Sequence, residues 1–427
     1  MDYHVIIPLV IVGLTLLLNI PLTYGMLSAG VFYLLVSGMD IGMVVDQVMG
    51  TMFTGYVLMA VPLFIFTANI MNSGKVTDAM FEFSKGLIGK RRGALAYVNI
   101  LISLIFSGMT GSAIADASGI GIIEINAMEK DGYDKPFSCA LTAASATIGP
   151  IFPPSIPFVI YAMLSGASVG KLFLGGMVPG ILIAIVLTVY VGIISRVRKY
   201  PRGSVYSFRE FLNFTIKAFP ALLTPIILLV GIYSGVVTPT EAGAIAGFYA
   251  LIISVIAYKV LSFKDLLIAF RDTALQTGAI TILTGAASVF SYIVAREQIP
   301  ALIADFLLNI TMNKYSILFM FNILFLLLGM FLDTSTLQFV FLPMVIPIVS
   351  AVGIDLIHFG VVICLNMMIG LSTPPFGFLL FITSSISKTP LKDIVREVLP
   401  MVSVLILLLF LITFVPEIVM FVPRALG

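Results

Sequence analysis

The sequence predicts an all-α integral membrane fold made of two inverted repeats, each with a re-entrant hairpin and a discontinuous helix. Three observations lead there. Of the 427 residues, 60% are hydrophobic and only 10% are charged, whereas a soluble chain carries about a quarter of its residues charged. Apolar runs of about 20 residues, enough to cross a bilayer core, recur along the whole chain. The same Gly and Pro spacings appear in both halves, 221 residues apart.

Apolar segments run at 4–19, 22–37, 51–73, 93–128, 137–165, 172–195, 217–236, 241–258, 273–295, 315–350, 358–386 and 399–422. No secretory cleavage pattern is present, and the first run passes directly into the second, so both are read as retained spans. Segment 93–128 is interrupted by Ser107-Gly108-Met109-Thr110-Gly111-Ser112, and 315–350 is interrupted between Gly329 and Thr336. Each arm is then about 15 residues, roughly 22 Å of helix, too short to cross alone. Two short helices joined by a polar tip form a re-entrant hairpin. Such a tip survives at membrane depth only inside protein or beside a cavity.

With 75–92 cytoplasmic and both hairpins re-entrant, nineteen of the 23 Lys and Arg fall inside, at 75–92, 130–135, 196–217, 259–271 and 388–396. Only Lys171, Arg296, Lys314 and Arg424 lie outside. The positive-inside rule supports these loop assignments. A hairpin and a pair of full spans both return to the starting side, so arm length alone carries the hairpin assignment. Val76 to Gly89 and Ile299 to Met312 precede the hairpins and mix apolar with charged residues. They read as interfacial arm helices, with an ordinary polar loop as the alternative.

Under the 221-residue shift, Gly108-Met109 meets Gly329-Met330 and Ile148-Gly149 meets Ile369-Gly370. Pro153-Pro154 meets Pro374-Pro375, and Pro179 meets Pro400, all without a gap. Ala29-Gly30 and Ala246-Gly247 correspond at a slightly different offset. The first hairpin enters from the cytoplasm and the second from outside, so the halves are inverted, a plan common in secondary transporters.

The chemistry concentrates at two proline breaks, Ile148-Gly-Pro-Ile-Phe-Pro-Pro-Ser155 and Ile369-Gly-Leu-Ser-Thr-Pro-Pro-Phe376. Proline donates no N–H. The carbonyls of Gly149 and Pro150, and of Gly370 and Leu371, are therefore expected to be free. Free carbonyls in a low-dielectric interior are costly unless something binds them. Half-helix C-termini favour a cation and N-termini an anion. Each break facing its tip can thus form a site for a hard cation such as sodium, with an anion between the tips. A single break reads equally well as a plain kink. Two at equivalent positions, each after a polar hairpin, favour a site.

The first tip offers Ser107, Thr110 and Ser112, with Ser103 one turn earlier; the second offers Asp333, Thr334, Ser335 and Thr336. Asp116 and Asp333 are intramembrane carboxylates and so functional candidates. Asp116 reads equally as a structural acceptor for hairpin amides. Asn366 either binds substrate or caps a half helix. Thr238-Pro239-Thr240-Glu241 reads as a capped helix start. Cys139 and Cys364 read as small core residues, and His4 and His358 are too isolated for a metal site. No Gly-rich phosphate loop is present, which argues against ATP-driven transport by this chain. A net charge of +2 gives no sign of nucleic-acid binding.

At these residues the sequence resembles the large membrane subunit of tripartite ATP-independent periplasmic (TRAP) transporters. The matching stretches are Phe106-Ser-Gly-Met-Thr-Gly-Ser-Ala-Ile-Ala-Asp116, Leu141-Thr-Ala-Ala-Ser-Ala-Thr-Ile-Gly-Pro-Ile-Phe-Pro-Pro-Ser155 and Asn366-Met-Met-Ile-Gly-Leu-Ser-Thr-Pro-Pro375. The resemblance covers essentially the whole chain. It implies an elevator-type transporter of the ion-transporter-superfamily kind, taking up organic acids with sodium across a bacterial inner membrane. It implies a small four-helix membrane subunit and a periplasmic substrate-binding protein as partners, besides membrane lipid. It places sodium ions, at least two, at Ser103, Ser107, Gly149 and Pro150, and at Gly329, Asp333, Gly370 and Thr373. Substrate then falls near Thr110, Ser112, Thr334 and Ser335, with Asp116 and Asn366 as further candidates. The chain begins directly at the large subunit, so the small partner is expected as a separate chain. The first tip is worded more like sialic-acid members than C4-dicarboxylate members.

The expected organisation is scaffold at 1–50, moving elements at 51–195, a cytoplasmic loop at 196–216, scaffold at 217–272 and moving elements at 273–427. An intramembrane hydrolase using Asp116 and Asp333 is the competing class. The two carboxylates are not repeat-equivalent, and no His stands ready to activate a serine. A passive channel would need a continuous polar path, which is not visible.

Overall fold

The computed structural model describes residues 3–18, 20–72, 74–311 and 313–426. Asn19, Ser73 and Met312, which close three of the expected segments, lie outside the described residues. The described chain is helical, with one isolated bridge between Arg92 and Arg202.

The first half runs α1 (Tyr3–Leu17), α2 (Leu22–Val36), α3 (Gly42–Thr54), a 3-10 turn (Tyr56–Met59), α4 (Ala60–Met71) and α5 (Gly74–Ile88). It continues through α6 (Ala94–Thr110), α7 (Ala113–Ser118), α8 (Ile120–Lys130), α9 (Lys135–Ser145), α10 (Ile156–Ser165) and α11 (Val169–Val197). The second half runs α12 (Phe208–Tyr233), α13 (Pro239–Ile256), α14 (Phe263–Arg296) and α15 (Ile299–Ile310). It ends with α16 (Lys314–Gly329), α17 (Thr334–Ala351), α18 (Leu356–Leu371), α19 (Phe378–Ser387), α20 (Leu391–Phe414) and α21 (Glu417–Leu426).

Six of these, α11, α12, α13, α14, α17 and α20, are long and apolar enough to cross a membrane. The α3–α4 pair, bent by 58°, makes a seventh. The outer surface agrees. Ile181, Ile185, Val189 and Ile193 of α11 are exposed at four-residue intervals, an apolar stripe that water would penalise and lipid accepts. The protein is a multi-pass membrane protein.

Helix starts recur across the halves. α16, α18, α19 and α20 begin 220, 221, 222 and 222 residues after α6, α9, α10 and α11. The outer helices interlock: α2 packs on α14, and α13 packs on α4. Glycine permits both approaches. Gly30 lies against Val289, and Gly247 against Thr67, the small-residue packing typical of membrane helices.

Three expectations need adjustment. The second arm of the first hairpin is itself broken at Gly119, between α7 and α8, where a Cβ would run into the Asn72 side chain. The second arm of the other hairpin, α17, has 18 residues, so at about 1.5 Å per residue its length alone does not make it re-entrant. The expected boundaries at 50, 195, 216 and 272 fall inside α3, α11, α12 and α14. A continuous helix moves as one piece, so any division belongs at helix ends. The amphipathic stretches are helical over 76–88 and 299–310, within α5 and as α15. Thr238 and Glu241 form a reciprocal capping box at the start of α13.

Candidate functional site

The first break is open coil and turn between α9 and α10, flanked by a 3-10 turn at Ala146–Ile148. The second lies between α18 and α19. The Pro153–Pro154 and Pro374–Pro375 peptide bonds are both cis.

Each break is tied to a hairpin tip through its second half. The Ile156 amide donates to the Gly111 carbonyl at 3.4 Å, and the Gly377 amide donates to the Met330 carbonyl at 3.2 Å. Gly111 has φ +60°, and a Cβ there would sit 2.6 Å from the Pro154 carbonyl oxygen. Only glycine fits such a turn at that approach. At the second junction Gly329 and Gly370 touch backbone to backbone. A Cβ on Gly370 would lie 2.7 Å from the Gly329 Cα.

The carbonyls freed by proline are not all left bare. Pro150 accepts from the Ser155 hydroxyl, and Gly370 accepts from the Thr373 amide at 2.9 Å. These two correct the expectation of four free carbonyls. The break is sharp enough to bring a hydroxyl or amide back onto the chain. Those of Gly149 and Leu371 receive no hydrogen bond from the break backbone among the described residues.

The repeats differ in what faces the break. Gly149 meets the Asp116 carboxylate, where its counterpart Gly370 meets backbone. Asp116 is buried; its Oδ1 accepts from Thr110 Oγ1 at 2.5 Å, and its Oδ2 has no partner among the described residues. A second buried acid, Glu124, accepts from Asn99 Nδ2 at 2.8 Å, and that amide also reaches Thr142 at 2.8 Å. Ser145 donates to Asn99 Oδ1 at 2.7 Å.

Asn366, the counterpart of Ser145, donates to the Asn322 carbonyl at 2.8 Å and to Asn322 Oδ1 at 2.9 Å. Each repeat thus ties its broken helix to the first hairpin arm through a buried asparagine. Asn366 is fully buried and does not line the cavity between the tips.

That cavity measures about 170 Å³. Ser112 and Gly111 line it from the first tip, Asp333, Thr334 and Ser335 from the second, and Pro150 from the first break. Thr334 Oγ1 is buried without a hydrogen-bond partner among the described residues, so it keeps a donor for a ligand. Ser112 caps α7 by accepting from the Ala115 amide at 3.4 Å. Asp333 caps α17: Oδ2 accepts from the Thr336 amide at 3.1 Å and Oδ1 from the Thr336 hydroxyl at 2.5 Å. A second cavity of about 420 Å³ lies on the other side of this tip, bordered by Gly329, Asp333 and Leu371.

Ser103 and Ser107 are buried on α6, and Ser107 donates to the Leu104 carbonyl at 2.5 Å. Thr373 donates to the Ile369 carbonyl at 2.6 Å. Thr110 is spent on Asp116 and lies outside the cavity lining. Sequence reasoning missed Gln276 of α14, which brings an amide to the cavity from outside the hairpins and breaks. It also missed Gln338, whose Nε2 donates to the Pro157 carbonyl at 3.1 Å. Gln338 lies one turn after Thr334 on α17, a spacing that marks a shared face.

Residues 9–418 match the family model described as the tripartite ATP-independent periplasmic transporter, DctM component. The chain belongs to this family. It is 40% identical over 92% of both chains to the sialic acid TRAP transporter large permease protein SiaM of Vibrio cholerae. It is 37% identical to the sialic acid TRAP transporter permease protein SiaT of Haemophilus influenzae, over 99% of this chain and 68% of that one. A C4-dicarboxylate TRAP large permease of Pseudomonas aeruginosa is 34% identical over 87% of each. In fold it resembles the YdaH transporter of Alcanivorax borkumensis, with a TM-score of 0.60 over 88% of this chain and 87% of that one, at 14% identity. This TRAP large permease subunit is a transport protein, and the hydrolase reading falls away.

Proposed function

We propose that this permease imports an acidic sugar of the sialic-acid class, coupled to sodium, by an elevator movement of its hairpins and broken helices across the bacterial inner membrane. The observation that carries this is the cavity between the tips, lined by the first junction at Gly111 and Ile156 and by Asp333, Thr334 and Ser335 of the second tip. Sodium is a hard cation that prefers oxygen donors. At the first junction it would take the Gly149 carbonyl, with Ser103, Ser107 and Pro150 nearby and Asp116 Oδ2, which has no partner among the described residues, as counter-charge. At the second it would lie by Gly329, Gly370, Thr373 and the Asp333 carboxylate. Substrate would bind between the tips through Ser112, Thr334 and Ser335. Fixed hydroxyls there suit a polyhydroxylated acid, and the relatives named for sialic acid support that class over C4-dicarboxylates.

The partners in this reading are a small four-helix membrane subunit and a periplasmic binding protein. Uptake of labelled sialic acid into proteoliposomes tests it, with and without an inward sodium gradient and a binding protein. Uptake is expected only with all components. Equal uptake under a potassium gradient would remove the sodium coupling.

A further inference from the structure

We propose that the groove between α5 and the α12–α13 pair binds the headgroup of an aminophospholipid, phosphatidylethanolamine in chemistry. The groove measures about 550 Å³. Lys75, Asp78 and Glu82 line it from one face of α5, and Lys217 and Tyr258 line it from the other side. The Tyr258 hydroxyl donates to the Lys217 carbonyl at 2.7 Å and pins the end of α13 to α12. Among the described residues Lys75, Asp78 and Lys217 form no ion pair, while Glu82 holds Lys85 at 2.9 Å.

The sequence of α12 puts the groove at headgroup level. Lys217 is followed along α12 by an apolar run, the place where a lysine stem lies in hydrocarbon and its ammonium reaches the interface. Ile216 and Phe219 are exposed beside it and offer a path for acyl chains.

The charges select the headgroup. Lys75 and Lys217 suit a phosphate. A lysine-only groove would favour any anionic lipid equally. Asp78 and Glu82 change that, because they repel a purely anionic headgroup and attract a cationic one. A headgroup bearing both a phosphate and a primary ammonium meets the two lysines and Asp78, with Glu82, shared with Lys85, beside the ammonium. The ammonium brings three N–H donors for the carboxylates; a choline ammonium brings none.

The test counts lipids retained by the full-length chain, using native mass spectrometry after exchange into an equimolar mixture of phosphatidylethanolamine, phosphatidylcholine and phosphatidylglycerol. The ethanolamine lipid is expected to dominate. Lys75→Ala with Lys217→Ala should cut its retention about thirtyfold, at about 1 kcal/mol for each lysine. Asp78→Asn with Glu82→Gln should move the preference to phosphatidylglycerol. None of the four is fully buried, so both variants should fold, and thermal melts check this. Equal retention of all three lipids by the wild type, or unchanged retention in both variants, overturns the proposal. So does displacement of the lipid by a co-purified membrane subunit, which would assign the groove to a protein partner.

Discussion

The Gly377 amide donates to the Met330 carbonyl at 3.2 Å, joining the second half of one broken helix to the tip of its own hairpin. The equivalent bond in the other repeat runs from Ile156 to Gly111 at 3.4 Å. Two backbone hydrogen bonds therefore hold both tips against both breaks, the first beside the cavity between the tips and the second beside the larger one.

Substituting Gly111 by Ala should abolish transport. Its φ of +60° disfavours a side chain, and the added Cβ would lie 2.6 Å from the Pro154 carbonyl oxygen. Gly166 is the control: its φ is +73° but nothing lies within 4 Å of an added Cβ. Gly166→Ala should cost only about 1–2 kcal/mol of backbone strain and leave uptake in place. Parallel uptake and melting curves decide; equal loss in both variants would show that left-handed strain, not the tip contact, is at fault.

Gly370→Ala should separate the second tip from its break, because the Cβ would lie 2.7 Å from Gly329 Cα. Uptake should fall at least tenfold, with a raised sodium requirement, since both groups border the proposed cation site. Wild-type sodium dependence in a well-folded variant would place the cation elsewhere.

Asp333 separates two roles. Asn caps a helix about as well as Asp, so Asp333→Asn keeps the bond to the Thr336 amide while removing the charge. A charge-assisted contact is worth about 1.5–3 kcal/mol, so sodium affinity should fall roughly ten- to a hundredfold in both Asp333→Asn and Asp333→Ala. Linkage should weaken substrate binding at fixed sodium as well. If only Asp333→Ala is impaired, the carboxylate is a cap and nothing more.

Thr334→Ala and Gln276→Ala should each raise the substrate concentration for half-maximal uptake while leaving the sodium dependence at saturating substrate unchanged. Thr334 has a buried hydroxyl with no partner among the described residues, and Gln276 reaches the cavity from α14. A lost hydrogen bond is worth about 0.5–1.5 kcal/mol, so a shift of about two- to tenfold is expected in each. No change in either would move the substrate out of this cavity.

Asn99→Leu should be among the most destabilising substitutions in the first repeat. It strips partners from Glu124, Thr142 and Ser145 at once. A cost of about 2–4 kcal/mol follows from leaving buried polar groups unpaired. Thermal unfolding in detergent measures it, and a melting point within a degree or two of wild type would show that water enters the network.

By itself the sequence determined the membrane class, the hairpin tips, the two breaks and their equivalence. These depend on local rules: apolar length, the missing N–H of proline and the fixed spacing of Gly and Pro. The family resemblance put substrate near Thr110, Ser112, Thr334 and Ser335; the last three line the cavity and Thr110 does not. Only the tertiary structure decided which polar groups face one another. Thr110 turns to Asp116, Asn366 turns to Asn322, and Gln276 arrives from a helix that carries neither tip nor break. It also decided that Pro150 and Gly370 find donors within their own breaks. Side-chain partners across helices depend on rotation and depth of packing, and spacing along one chain does not encode either until the helices meet.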